Sequence, residues 1–237
     1  MTRITALTFV IFCVIISGCG INRHTSKYSF NDGYYRSKLN GRKYKKYYVV
    51  TGSDSIKVYP SNISKQLADT VKSVTFLFPP HIQPKDFQNK TFSSKNFDLD
   101  VISVIFKYRP RVPDYPPQLN TNFNGAFYAG YRKDSYILSY DNTPLHVANR
   151  QIIHHGYSFG GFAGLGSARI DEFVTLNRIN YEYDGVVFTT GIASELDLDK
   201  INFVMLSGLD FLTDKNSHLW VNNQKIWIGI GIGLNLN

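Results

Sequence analysis

The last dozen residues of the chain alternate strictly between aliphatic and very small or amide side chains. In segment 225–236, every even position from Ile226 to Leu236 is Ile or Leu, and every odd position after Trp227 is Gly or Asn. Successive side chains of a β-strand point to opposite faces, so the segment predicts a strand with one aliphatic face and one nearly bare face. Because strand glycines often mark a close approach of backbones, the bare face is expected to look into a crowded interior.

Two environments are compatible with such a strand. In the first, the aliphatic face contacts lipid outside a narrow closed sheet. In the second, the strand is central in a soluble sheet and packs tightly on its glycine face. A soluble sheet would normally carry charged or polar residues on the face opposite the aliphatic one. We therefore favour the lipid-facing interpretation.

Other segments alternate in the same way between Gly, Pro and Asn turns, and long helical patterns are almost absent apart from 61–69. Segments of about ten residues with alternating hydrophobicity are typical of transmembrane β-strands. The sequence therefore predicts an all-β fold, an antiparallel up-and-down β-barrel of about eight strands. The candidate strands are 72–79, 97–109, 121–131, 135–141, 153–168, 183–198, 201–212 and 225–236.

The faces predicted to point inward carry charges of both signs. Within 97–109, Ile102, Val104, Phe106 and Tyr108 are expected on one face and Lys107 and Arg109 on the other. Our hypothesis is a paired network that fills the lumen and leaves no water pore. Its members are Lys107, Arg109, Arg132, Glu195, Asp197 and Asp210. The alternative places these residues at strand ends in water, where ion pairs contribute little.

The N-terminal residues have the order of an export signal. Arg3 precedes the apolar run 6–16, which is followed by Ser17 and Gly18. The run has about eleven residues, whereas a spanning helix needs roughly 20, so a cleaved signal is favoured over a retained membrane helix. Segment 20–46 has eight Lys or Arg residues against one acid. It predicts a flexible basic tether, which either lies against anionic headgroups or is a solvated linker.

The four residues Ile16-Ser17-Gly18-Cys19 resemble the lipobox of bacterial lipoproteins. The resemblance implies cleavage before Cys19 and lipid (palmitate among its acyl chains) on that cysteine. Gly20 follows, rather than the aspartate associated in that family with inner-membrane retention, so the resemblance implies the outer membrane. The expected organisation is a signal peptide over 1–18, a lipid anchor and basic linker over 19–46, and a β-barrel domain with an N-terminal β-rich extension over 47–237.

Residues 98–237 resemble small outer-membrane β-barrel proteins of Gram-negative bacteria. The resemblance rests on the strand pattern and on aromatic residues near the predicted strand ends, where such barrels carry aromatic girdles. These aromatics are Tyr131, Tyr181, Tyr183, Trp220 and Trp227.

No pattern of catalytic, metal-binding or cofactor-binding residues stands out. His154 and His155 are adjacent and would face opposite sides of a strand, so they do not suit one metal. The glycine-rich segment 160–166 lacks the Lys-Ser/Thr of a phosphate loop. Neither a cofactor nor an enzyme activity is expected, and export argues against a nucleic-acid partner.

The sequence therefore predicts a non-enzymatic, lipid-anchored outer-membrane β-barrel with an envelope-structural, adhesive or accessory role. Its expected partners are membrane lipid and envelope proteins that contact segments 80–96, 169–182 and 213–224. The alternative is a soluble periplasmic barrel or sandwich, lipid-anchored through Cys19, in which the aliphatic face of 226–236 lines a pocket for an apolar ligand.

Overall fold

The structure is a computed structural model that describes residues 29–39, 45–61, 68–82, 88–113, 115–144, 147–198 and 201–236. All the strand pairings are antiparallel. The predicted signal peptide, Cys19 and most of the helix-like segment 61–69 lie outside the described residues. The predicted all-β class is confirmed.

Twelve strands form one sheet. They are β1 (Gly33–Ser37), β2 (Lys45–Thr51), β3 (Ser55–Pro60), β4 (Val74–Leu77), β5 (His81–Ile82), β6 (Lys90–Arg109), β7 (Gln118–Asn120), β8 (Asn124–Asn142), β9 (Ala148–Ile170), β10 (Tyr183–Leu198), β11 (Ile201–Leu212) and β12 (Ile226–Asn235).

Six of these strands close into a ring. The order is β6-β8-β9-β10-β11-β12, and β12 pairs back onto β6. The registers advance along the strands on one circuit. Starting from Lys95 on β6, the paired positions lead round to Ser103 on the same strand, a shift of 103 − 95 = 8 residues. Such a stagger means that the strands are tilted relative to the axis of the ring.

The predicted count of eight strands is not confirmed. Segments 121–131 and 135–141 belong to one strand, β8, because Arg132-Lys133-Asp134 interrupts the apolar pattern but not the backbone pairing. Segment 72–79 contains β4, which lies outside the ring. Segment 80–96, predicted as a loop, contains β5 and the beginning of β6.

The long strands β6, β8 and β9 continue beyond the ring and pair with N-terminal strands. β1 pairs with β6, and β2, β3 and β4 follow outward in order. These strands contribute to a core that includes Phe30, Tyr35, Phe92 and Tyr136. β1 and residues 45–46 of β2 therefore belong to the sheet, and Phe30 belongs to its core, whereas a flexible linker was expected through residue 46.

The opposite end of the ring is covered by its connecting segments. Residues 171–182 join β9 to β10, residues 213–225 join β11 to β12, and both fold over the end of the ring. Val174 from the first segment and Trp220 from the second pack with Leu212, which is also buried. The predicted loops 169–182 and 213–224 thus form one cap, at the end away from the N-terminal strands.

A β-bulge changes which side chains of β6 point inward. The register between β6 and β12 shifts between Ile230 and Gly231, so that Ile105 has no partner on β12. Ile102 and Val104 before the bulge are buried, and so are Lys107 and Arg109 after it. The expectation that Ile102 and Val104 oppose Lys107 and Arg109 is wrong, because the extra residue reverses the alternation.

Glycines make room for aromatic rings inside this narrow ring. A Cβ atom on Gly208 would lie 2.6 Å from the Thr190 carbonyl oxygen and 2.9 Å from ring atoms of Phe162 and Trp227. We expect Gly208→Ala to lower the free energy of unfolding by about 1–3 kcal/mol, the usual cost of overpacking a core. Chemical unfolding in detergent would measure this change.

Gly161→Ala is the matched control, since a Cβ atom there would meet its nearest neighbour, the Gly191 carbonyl oxygen, at 3.6 Å. That is an ordinary contact, so this substitution should leave stability nearly unchanged. Equal effects of the two substitutions would contradict the crowded interior.

Candidate functional site

The outward face of the ring is an apolar surface, which we call the outer belt. Phe127 and Tyr131 are 71% and 79% exposed, and Leu234 is 69% exposed. None of the outward-facing residues of the belt segments is Asp, Glu, Lys, Arg or His. The outer belt covers the outward positions of segments 97–108, 123–131, 157–167, 186–196, 203–211 and 226–234.

The belt has a uniform height. On each of the six strands the outward apolar face runs for nine to twelve residues. A tilted β-strand needs about 9–11 residues to cross the hydrocarbon core of a bilayer. Charged residues stand just past both edges, Lys95 and Lys133 towards the N-terminal strands and Arg169 and Asp184 towards the cap. The height of the apolar surface therefore matches that of a bilayer core, and charged residues lie beyond it on two strands at each edge.

The middle of the ring is filled by apolar side chains. Trp227 is fully buried and packs against Phe162, with ring centroids 5.8 Å apart. Tyr128, Val204 and Leu206 belong to the same core. This plug separates a polar layer near the cap from a second polar layer near the N-terminal strands.

The expected aromatic girdle is partly wrong. Trp227 lies inside the ring and Trp220 is buried in the cap, where the Arg109 guanidinium lies over its ring. Tyr131 and Tyr181 are exposed, and Tyr183 is half-buried. Alternation alone did not separate outward aromatics from those that fill the interior.

The polar layer near the cap centres on Asp210. Its carboxylate accepts hydrogen bonds from Lys107 Nζ at 2.9 and 3.1 Å and from Trp227 Nε1 at 3.0 Å, and it forms an ion pair with Arg109. Lys107 Nζ also donates to Asn124 Oδ1 at 2.8 Å and lies over the Trp227 ring. One acid thus joins two cations that are both almost fully buried.

The second polar layer contains Arg132. Its Nε donates to Asp134 Oδ1 at 2.7 Å, and its guanidinium forms an ion pair with Asp197. His154 Nε2 lies 2.9 Å from the same Asp134 oxygen. The His154 ring stacks on Tyr136, which belongs to the core of the N-terminal sheet. This cluster therefore connects the ring to the extension.

Three buried carboxylates meet between the plug and the Arg132 cluster. Asp98, Asp100 and Glu195 each place an oxygen within 4.8 Å of the other two. All three are at most 1% exposed. Carboxylate oxygens are the ligands that Ca²⁺ and Mg²⁺ prefer, so this trio has the composition of a cation site.

All six residues of the predicted charge network lie inside the ring, but in separate groups. Lys107 and Arg109 meet Asp210, Arg132 meets Asp197, and Glu195 joins the acidic trio. Sequence reasoning did not find Asp98, Asp100 or Asp134. The signal for the first two was available, because Asp98 and Asp100 alternate on one face of β6 with Ile102.

The structure places the aliphatic face of 226–234 outside the ring, whereas the soluble alternative has this face lining a pocket. Ile226, Ile228, Ile230, Ile232 and Leu234 lie on the outside of the ring, and all are at least 42% exposed. The side chains that face inward from this segment are Trp227 and the glycines. The described residues also contain no helix long and apolar enough to cross a membrane.

Comparisons of the chain with protein-family models, with curated proteins and with solved structures yielded no match.

Proposed function

We propose that this chain is a lipid-anchored outer-membrane protein whose six-strand ring is a small β-barrel inserted in the bilayer. The observation that carries the proposal is the outer belt. The outward positions carry no charged residue along nine to twelve residues of every ring strand, while the inward positions include buried charges of both signs. This distribution is the reverse of that of a water-soluble domain.

Physical chemistry favours lipid around this belt. Monomeric soluble proteins rarely expose contiguous apolar patches larger than a few hundred Å². In hydrocarbon every backbone polar group must be paired within the protein, and strands that pair round a closed ring meet this requirement over the length of their pairing. The pairing of β12 with β6 provides that closure over 100–108.

The filled interior supports a structural, adhesive or accessory role and argues against a pore. Phe162, Tyr128 and Trp227 occupy the middle of the ring, and ion pairs occupy the layers on either side. Contacts with partner proteins would then be made by the two ends of the ring. At the cap, Phe173 and Tyr181 are 55% and 49% exposed, which makes segment 171–182 our candidate for contacts with other envelope proteins.

The anchor and the barrel can be tested separately. We expect a Cys19→Ala protein that is still exported to remain in the membrane fraction after a carbonate wash, because the outer belt holds it there without acyl chains. Its mobility in a denaturing gel should change on heating, as for other barrels. The unmodified chain, treated in parallel, is the control.

Release of the Cys19→Ala protein into the carbonate supernatant would overturn the proposal. The ring would then be a soluble domain held to the membrane only by lipid. Retention of the Cys19→Ala protein cannot come from the anchor, because the acylated residue is absent.

A further inference from the structure

A basic cleft lies at the edge of the outer belt, on the side of the N-terminal strands. Its volume is about 650 Å³, and it is lined by residues of β1, β2, β6 and β8. Four of the lining residues are cations and none is an acid. They are Arg36, Lys46, Lys95 and Lys133.

The stagger of the ring explains why there is a cleft here. β12 pairs with β6 from residue 100 onward, and β1 pairs with β6 at Phe92 and Ser93. Between these two partners, residues 94–98 of β6 have no strand beside them on this edge within the described part of the chain. This gap leaves the edge of β6 unpaired at residues 94–98 and opens the cleft between β6 and β1.

Like charges lie on neighbouring strands in the lining of this cleft. Lys95 and Lys133 are directly paired positions on β6 and β8. Arg36 and Lys46 are directly paired on β1 and β2. Like charges opposite each other destabilise a sheet. None of the four forms an ion pair with any residue that the structure describes, so the arrangement suits an anion that comes from outside the chain.

Some of the neutral lining residues are hydrogen-bond donors suited to phosphate. The hydroxyls of Thr91 and Ser135 lie among the cations, whereas the Ser93 hydroxyl donates to the Arg36 carbonyl oxygen at 3.3 Å. Tyr35 also lines the cleft, but its phenol is buried in the core, donates to the Asn31 carbonyl oxygen at 2.8 Å and has a pKa raised by burial to about 12. Tyr35 therefore stays neutral at physiological pH and adds no negative charge.

The cleft is continuous with the outer belt. Phe97 and Tyr131, which are paired with each other, are two residues further along the strands than Lys95 and Lys133. Two residues of a strand span about 6.6 Å, which separates the backbone positions of the two lysines from those of the exposed aromatic residues. The Phe97 and Tyr131 rings pack edge to face, with their centroids 6.0 Å apart, and form the part of the outer belt nearest to the cleft.

We infer that this cleft binds the phosphate of an anionic lipid whose acyl chains lie on the outer belt. The inference rests on the proposed membrane location and adds a specific ligand class to it. Basic pockets at the headgroup level are the usual way in which membrane proteins recognise anionic lipids.

The test uses the full chain, purified in an uncharged detergent, and measures lipid binding by calorimetry. The ligands are phosphatidylglycerol, phosphatidylcholine and inorganic phosphate. The test protein carries Lys95→Gln with Lys133→Gln. The control carries Lys57→Gln with Lys72→Gln, two exposed lysines that are not among the residues lining the cleft and whose loss changes the net charge equally.

We expect phosphatidylglycerol to bind the wild type and the control more tightly than either other ligand. Each cation near an anionic surface corresponds to about a fivefold change in affinity, so the cleft variant should bind about 25-fold more weakly. Arg36→Gln with Lys46→Gln should weaken binding by a similar factor. Agreement between the two variants would show that the loss does not come from a local structural change at one pair of substituted residues.

Three outcomes would overturn the inference. Equal losses in the cleft and control variants would indicate general surface charge. Equal affinity for the two lipids would exclude recognition of the anion, and equal affinity for inorganic phosphate would indicate a free-anion site. The membrane proposal is tested separately, because it fails if the Cys19→Ala protein is released from the membrane by carbonate. The cleft substitutions should not cause such release.

Discussion

Replacing Asp210 by Asn is expected to lower the free energy of unfolding by about 3–5 kcal/mol, the usual result of removing one partner from a buried ion pair. Asp210 is the only acid in contact with Lys107 and Arg109 among the described residues. Both cations are at most 5% exposed. An amide keeps the shape of the side chain and the bond from Trp227 but leaves two buried positive charges uncompensated. Chemical unfolding in detergent, followed by tryptophan fluorescence, measures the change.

Glu182→Gln provides the control for this prediction. Glu182 pairs with Arg169 at 2.7 Å, but both side chains are more than half exposed. Exposed pairs contribute about 0–1 kcal/mol, so the same chemical change should have little effect there. Adding Lys107→Met to Asp210→Asn should recover part of the lost stability, since one uncompensated charge is removed. Additive losses in the double variant would contradict the ion-pair explanation.

Replacing Ile230 by Arg is the second large effect that we expect, a loss of about 2–4 kcal/mol in a bilayer. Ile230 lies at the middle of β12, paired with Met205 and Phe106, which are also exposed. In a soluble protein an Arg at this 43% exposed position would remain in water and cost little. In lipid it lies near the midplane, where a guanidinium is most costly. Urea unfolding from phosphatidylcholine vesicles measures the difference.

A depth series makes the interpretation specific. Ile226→Arg and Leu234→Arg lie towards the two edges of the belt, where the cost should fall to about 0–1 kcal/mol. Leu77→Arg, on β4 outside the ring and 75% exposed, should be near neutral. The expected profile therefore has a maximum at Ile230. A flat profile over the three β12 positions would refute lipid contact.

The sequence was informative about faces and poor at counting strands. The alternation of 226–236 predicted an outward aliphatic face, and the structure places those side chains outside the ring. Strand number was not readable, because Arg132-Lys133-Asp134 breaks the apolar pattern within β8 while backbone hydrogen bonds continue through it. Periodicity reports the surroundings of side chains, whereas the length of a strand depends on its partners.

For the candidate site too, the sequence predicted which faces point inward but not which residues meet. That Glu195, Asp197 and Asp210 face inward followed from the alternation, but which cation meets which acid did not. Lys107 and Asp210 are 103 positions apart, and only the closed ring brings them together. The bulge at Ile105 and the cleft beside Lys95 depend on the register between β6 and β12, which one strand's sequence does not contain.

By itself, the sequence determined the all-β class and an alternation of apolar and polar or small side chains along each strand, because that alternation is a local property of an extended backbone. Only the tertiary structure decided that six strands close, that Trp227 and Phe162 fill the interior, and that two charged layers lie on either side of them. Closure depends on pairing between residues far apart in the chain, and the space left inside is a consequence of how many strands share the circumference.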